Sequence, residues 1–378
     1  MLKKPKVVIV VDGMSHYREA FFTMLQVNLL KAGVQLELIY GIGTKRHNIA
    51  GIIHWAHERK LQMIGPFLWL PVLRDTRSAD LVILPQVLKH LHIYPILLRR
   101  AMGKQRVALW GHGKVFSALP ESKIVSFVKR LVSRHCDWWF AYTARSARVV
   151  RDEIGFPPNR ITVVNNAVDT KALTSARERL TDAEIDAFRI QLGIATTNVG
   201  IFVGGMYHSH HHTKRLPFLI QACIEIHKQR PDFEMIFIGG GPEQGVVEEA
   251  AIQHPWMHYY GIKKGPEAVP YWALAKVCLN PGLVGLGILD CLALGVPMVT
   301  SEIPYHSPEI EYLSPGVNGI MVNDENDPRI FAQAAISLLD DNATRLRLAE
   351  AGKKDVNNLT NEAMVANFVT GILSALVP

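Results

Sequence analysis

The chain has 378 residues, too many for one ordinary core and about right for two domains of roughly 150 residues. Its 48% hydrophobic and 20% charged residues allow sizeable cores and exclude a disordered chain, and 28 glycines and 21 prolines exclude a collagen-like one. Lys and Arg exceed Asp and Glu by 41 − 34 = 7, which favours anionic partners such as nucleotides, pyrophosphates or an acidic membrane face, but without an arginine-rich run is no nucleic-acid signature.

Cys136, Cys223, Cys278 and Cys291 lie far apart with no CxxC, which indicates neither a zinc ribbon nor a disulfide scaffold and makes a reducing compartment the default. The basic start precedes only Val7–Val11 before Asp12, too short for a signal-peptide core. The apolar stretches Leu61–Leu73 and Val277–Leu289 are broken by Pro and Gly and fall short of a membrane span. A soluble or peripheral protein of the cytoplasm, at most at the inner membrane face, is the expectation.

In chain order, short apolar runs alternate with helical patterns, the rhythm of parallel α/β sheets. Strands are predicted at Val7–Val11, Leu36–Tyr40, Asp80–Leu84, Val107–Trp110, Trp138–Tyr142 and Ile161–Val164, with helices at Arg18–Ala32 and Ile124–Arg134. The latter is basic and amphipathic, with Lys123, Lys129, Arg130 and Arg134 around an apolar stripe. It reads equally as a packed surface helix or as one lying on anionic lipid. Thr170–Thr197 is polar, lacks a strand and reads as a linker with one helix, Asp182–Leu192. A second α/β series follows, with strands at Gly200–Val203, Glu234–Gly239, His258–Tyr260, Val277–Leu279, Pro297–Ser301 and Gly319–Val322, and the end is helical.

The densest chemical signals lie in this second series. Gly204-Gly205 ends a strand and a loop leads to Lys214-Arg215 at the start of a helix. Ligands of such sheets bind beyond the carboxyl ends of the strands, where a basic pair meets a pyrophosphate, though an ordinary βα-turn has the same form. Gly239-Gly240-Gly241-Pro242 repeats the arrangement. In Asn280–Asp290 a glycine-rich loop feeds a helix carrying Asp290 one turn in. A carboxylate on so apolar a helix needs partners, either ribose hydroxyls or a local cap. In the first half, Asp12-Gly13 with His16, and Gly111-His112-Gly113, each follow a strand; a histidine there can orient a hydroxyl or hold structure. The run His208–His212 lacks a carboxylate or cysteine at matching spacing and reads as a solvated loop rather than a metal site.

Taken in order, Val164–Asp169, Phe202–Gly205 with Lys214–Ala222, Arg230–Asp232, Ile238–Pro242, Leu279–Pro297, Ser307–Ile310 and Asn318-Gly319 resemble the motif course of retaining glycosyltransferases of family 4 over residues 160 to 325. The resemblance implies α/β architecture of the GT-B type: two Rossmann-like, doubly wound domains facing each other across a cleft. They would comprise an acceptor-binding domain (1–170), a linker (171–198) and a nucleotide-sugar domain (199–378) whose last helix packs back on the first. It implies a donor site of Gly204, Gly205, Lys214, Arg215, Gly240, Gly241, Pro242, Ile262, Gly282, Gly285, Leu286, Asp290 and Glu309. Gly13, His16 and His112 would face the acceptor, with Lys214 and His112 catalytic and no metal required.

Two departures stand out: the family's arginine falls on Gly205, so that charge is missing or supplied by Arg215, and the first glutamate of its E-x7-E motif falls on Gly282. The second falls on Asp290, the ribose contact, and backbone amides of Leu283–Gly287 would replace the missing carboxylate. The expected activity is transfer of a sugar from a UDP- or GDP-type donor to a glycan or lipid-linked saccharide in cell-surface polysaccharide synthesis. A non-catalytic saccharide- or nucleotide-binding relative is the alternative.

Overall fold

The computed structural model describes residues 4–43, 53–114, 116, 122–207, 213–324 and 326–377. The chain forms two compact units. The first is built on a seven-stranded sheet of order β3-β2-β1-β6-β7-β8-β9, in which every pairing is parallel. Its strands are β1 (Lys6–Val11), β2 (Gln35–Ile42), β3 (His57–Lys60), β6 (Leu81–Pro85), β7 (Arg106–Gly111), β8 (Trp138–Ala141) and β9 (Ile161–Val163). An antiparallel hairpin of β4 (Gln62–Ile64) and β5 (Phe67–Trp69) lies outside that sheet. The helices are α1 (Glu19–Lys31), α2 (Ile93–Ala101), α3 (Lys123–Arg134) and α4 (Ala144–Val149). β1 is a continuous run of buried Val and Ile because both faces of a parallel sheet are covered. The polar His57–Lys60 escapes prediction as a strand because it sits at the sheet edge, where no buried face imposes a pattern.

The second unit spans Asp169–Thr360. Its helices are α5 (Thr170–Glu178), α6 (Asp182–Gln191), α7 (Leu216–Gln229), α8 (Gln244–Gln253), α9 (Val269–Leu274), α10 (Gly287–Leu294), α11 (Pro328–Asp340) and α12 (Asn342–Val356). The strands β10 (Asn198–Val203), β11 (Phe233–Ile238), β12 (Met257–Tyr259), β13 (Ala275–Asn280), β14 (Met298–Ser301) and β15 (Gly319–Val322) form a parallel sheet of order β12-β11-β10-β13-β14-β15. The predicted one-helix linker is corrected here. Thr170–Thr197 carries two helices and belongs to the second unit, with α5 packed on α9 and α10 and Phe188 of α6 edge-on to Tyr271 at 5.0 Å. Asp169 starts α5 by accepting the Ala172 N–H at 3.0 Å, a cap that a polar stretch hides among other polar residues.

The last helix, α13 (Asn361–Leu376), belongs to the first unit. Phe368 stacks on Phe140 of β8 at 4.8 Å and meets Trp110 and Phe21 edge-on. Buried Arg18 donates to Asn166 and reaches Met364 Sδ at 3.4 Å.

In each sheet the chain reverses its direction of growth once, between β1 and β6 in the first unit and between β10 and β13 in the second. These switch points leave a crevice beyond the strand ends, the place where open α/β sheets hold ligands.

Candidate functional site

At the second switch point the loops run in backbone contact. Gly204 donates its N–H to Ile238 O at 3.0 Å and Met206 to Gly240 O at 2.9 Å. Gly239 has φ +140°, and a Cβ there would lie 1.9 Å from the Gly204 carbonyl oxygen; Gly241, at φ +152°, is equally closed off by Met206. Gly240 abuts Ile262, which is exposed, so the glycines that the sequence places in the donor site, with Pro242 behind them, form one edge of the crevice.

The other edge comes from the loop after β13. A Cβ on Gly282 would stand 2.4 Å from Lys214 Cα, so this position admits no side chain, and the sugar-facing carboxylate that spacing assigns to it cannot be accommodated in this backbone. Leu283 donates its N–H to Thr213 O at 2.8 Å, and Lys214 Nζ donates to Leu283 O. The lysine is partly buried with no carboxylate paired to it among the described residues, and burial pulls it down to about 8.

The expectation that amides 283–287 all remain available is corrected. Leu283 N–H is taken by Thr213, and Val284 N–H by Nδ1 of buried His306 at 3.1 Å. His306 Nε2 lies 2.9 Å from Ser301 O and donates to it, which fixes a neutral ring. Gly285, Leu286 and Gly287, at the start of α10, keep uncommitted N–H groups among the described residues. Asp290 lies in the first turn of α10; burial raises its carboxyl to about 7, and no described residue hydrogen-bonds it. Glu309 is buried in the turn Pro308–Tyr312, which is tethered to the same loop by Ser307 N–H to Val284 O at 3.1 Å.

Of the two alternatives for the family's arginine charge, supply by Arg215 is disfavoured, because Arg215 does not face this crevice as a free charge. It starts α7 at φ +53°, pairs with Asp324 at 3.1 Å, donates to Pro281 O (3.1 Å), Ser301 Oγ (2.8 Å) and Asn326 Oδ1 (3.0 Å), and covers Phe218. At position 205 a side chain would have to displace the exposed Tyr207 ring, which lies 2.2 Å from where a Cβ would stand. The run His208–His212 lies outside the described residues. Among those described, no three His, Cys, Asp or Glu residues are grouped to hold a metal.

At the first switch point Gly13 follows β1 and His16 opens the turn His16–Arg18. His112 follows β7, its ring stacked on Tyr142 at 4.2 Å. Gln86, after β6, holds the next glycine from both sides, donating to Gly113 O at 2.9 Å and accepting Gly113 N–H at 3.0 Å. Sequence reasoning missed two buried histidines here. His90 and His92 stack at 5.4 Å, His92 Nδ1 accepts the Leu70 N–H at 3.3 Å, and His90 Nε2 lies 3.7 Å from Asp12 Oδ2. Burial, then the neighbouring His90, lowers His92 to about 4, so it is neutral at physiological pH. His-x-His one loop after a predicted strand was the available signal.

Residues 197–341 match the family model described as Glycosyl transferases group 1. Among curated proteins, the chain is 24% identical over 251 residues to a D-inositol 3-phosphate glycosyltransferase of Corynebacterium glutamicum, covering 62% of this chain and 56% of that one. It is 24% identical over 173 residues to the alpha-monoglucosyldiacylglycerol synthase of Acholeplasma laidlawii, covering 44% and 41%. The matches thus span about half or less of these relatives' length. Among solved structures, a glycosyltransferase from Rickettsia africae superposes with a TM-score of 0.73 at 12% identity over 99% of both chains. Anabaena HepE in complex with UDP-glucose does so with a TM-score of 0.70 at 15% identity over 98% of this chain and 99% of its own. A Listeria monocytogenes structure described as a UDP-N-acetylglucosamine 2-epimerase gives 0.63 at 15% identity over 98% and 96%. The family model and both curated relatives are those of glycosyltransferases, and the chain has the GT-B fold with a group 1 glycosyltransferase match across its second unit.

Proposed function

We propose that the chain is a retaining glycosyltransferase of family 4 that moves a sugar from a UDP- or GDP-type donor to a glycan or lipid-linked saccharide. The observation that carries this reading is the second switch point. There Lys214, a partly buried cation without an acid partner, is joined through Leu283 to the loop that leads to the uncommitted Asp290. Lys214 meets the diphosphate and stabilises its charge as the glycosidic bond breaks. Asp290 accepts from the ribose hydroxyls. The amides of Gly285, Leu286 and Gly287 take the place of the carboxylate that Gly282 excludes. The acceptor attacks from the face the diphosphate leaves, and a diphosphate oxygen takes its proton, so configuration is kept. His112 orients the acceptor hydroxyl, and no metal takes part. UDP is the favoured nucleotide because HepE, of the same fold, binds UDP-glucose.

A lipid-linked acceptor agrees with α3. The structure inverts its expected packing: Lys129 is buried, while Ile124, Phe127, Val128 and Leu131 are exposed beside exposed Lys123 and Arg130. An apolar stripe edged by cations suits the interface of an anionic bilayer, which supports the reading of an enzyme that works at the cytoplasmic membrane face in cell-surface polysaccharide synthesis.

The excluded carboxylate at Gly282 favours a second reading, a nucleotide-binding relative without transferase activity. Thermal-shift measurements against UDP, GDP, ADP, CMP and TDP test the site. A ligand at a hundredfold excess over Kd stabilises by about 2.7 kcal/mol, and Lys214→Ala and Asp290→Ala should lose the shift. No stabilisation by any nucleotide defeats the donor site. Binding without transfer to any lipid or glycan acceptor selects the second reading. Turnover unchanged in EDTA is expected, and the anomeric configuration of the product by NMR decides retention.

A further inference from the structure

We infer that the β4–β5 hairpin of the first unit is a wedge that enters an anionic lipid bilayer beside α3. This rests on the proposed membrane seating of α3. Residues 62–67 are all exposed, and the bulkiest are apolar: Met63 is 64% exposed, Ile64 50% and Phe67 42%. A soluble surface tolerates scattered apolar residues, but three at the tip of one projecting hairpin form a patch that calls for a partner. Ile64 pairs with Phe67 across the two-residue turn Gly65-Pro66, with Gly65 at φ +58°, so the apolar side chains crowd the very end of the hairpin. Its base is anchored by buried Leu61, Leu70 and Val72.

Charge selects the occupant. No Asp or Glu occurs between residues 59 and 74. Lys60 at the base of the hairpin and Lys89 beside it are exposed and unpaired among the described residues. The exposed part of the hairpin, residues 62–67, is two to three residues deep, about 7–10 Å at ~3.3 Å per residue, within the roughly 5–10 Å at which interfacial elements sit.

The hairpin is also continuous with α3. Leu68 donates its N–H to Lys89 O and accepts that of Leu91, each at 2.8 Å, while Gln86 of the same loop donates to Ser133 Oγ on α3 at 3.0 Å. Between the two elements Val87 and Tyr94 are themselves more than a third exposed. Ser133 lies on the buried face of α3, so the loop holds the helix from beneath and leaves its apolar stripe outward. Hairpin and helix are thus two exposed apolar elements fixed to one loop, where a helix alone would give a single line of contact. Dual attachment fixes orientation as well as affinity.

The four native cysteines are buried, so Ile64→Cys provides a single exposed thiol for an environment-sensitive fluorophore on the full chain. With vesicles of phosphatidylcholine and phosphatidylglycerol, the labelled protein should float and its emission should shift to the blue, and phosphatidylcholine alone should produce neither. The combined Met63→Ser, Ile64→Ser, Phe67→Ser variant should keep its melting temperature and lose about tenfold or more in vesicle affinity. Flotation of the labelled Ile64→Cys protein without a blue shift, or an unchanged affinity of the triple variant, overturns the hairpin wedge and leaves α3 as the contact. Failure of the wild type to bind anionic vesicles overturns both.

Discussion

The two switch points do the same topological job with different materials. That of the second unit is walled by main chain: Gly239, Gly241 and Gly282 allow strands and loops to touch without side chains between them, leaving a few point charges in place. That of the first unit is walled by side chains, with His112 on Tyr142, His90 on His92, and Gln86 clamping Gly113. The contrast fits the proposed division of labour: a nucleotide diphosphate is the same object in many enzymes and suits fixed amides and a lysine, whereas acceptors differ and call for bespoke side chains.

The comparison can be broken most forcefully through Arg215. If it is structural and Lys214 functional, Arg215→Ala should lose about 3–5 kcal/mol of stability by leaving Asp324 buried and unpaired, while folded material retains nucleotide affinity within a few-fold; urea denaturation and calorimetric titration read the two effects. Lys214→Ala should do the opposite, keeping the fold and losing about 10²–10³ in kcat. Gly282→Ala should cost about 1–3 kcal/mol of stability, because its methyl group meets the Lys214 main chain; an unchanged melting temperature would show that this loop yields. His112→Ala sharpens the contrast from the other side, with about 10²-fold slower turnover and undisturbed nucleotide binding.

The smallest effect is a pH profile. In the proposed donor site, nucleotide binding needs Asp290 ionised and Lys214 protonated, so affinity should peak between about 7 and 8 and fall up to about tenfold per unit on either side. Asp290→Asn should flatten the acid limb and Lys214→Arg the alkaline one. Stability carries its own sign. A carboxyl raised by burial contributes fully below its unfolded range near 4, and that contribution is lost as pH rises through about 7. Asp290→Asn should remove that slope from pH-dependent melting curves.

How much of this was legible follows from the same contrast. Glycines required by close backbone approach are visible as letters, so the sequence singled out Gly241 and Gly282 without knowing their neighbours. Arg215 was misread because its partner Asp324 stands 109 residues away, and a basic pair looks alike whether it is bound or free. For α3, periodicity revealed an amphipathic helix but was silent on which face is wet, since a 3.6-residue pattern is the same whether its apolar side faces a core or a solvent. The paired histidines of the first unit and the cap of α5 are defined by contacts between loops, which spacing does not encode.

The return of α13 to the first sheet sets an order of events on the ribosome. The sheet and helices of the second unit all lie in Asp169–Thr360 and can close their core before α13 is made. The first unit, though synthesised earlier, must wait: Phe140, Trp110 and Phe21 remain without Phe368, and Arg18 without Met364, until the last turns of the chain emerge. At about 5–20 residues per second, the roughly 200 residues between β9 and the end of α13 leave the first sheet some tens of seconds with part of its apolar surface uncovered.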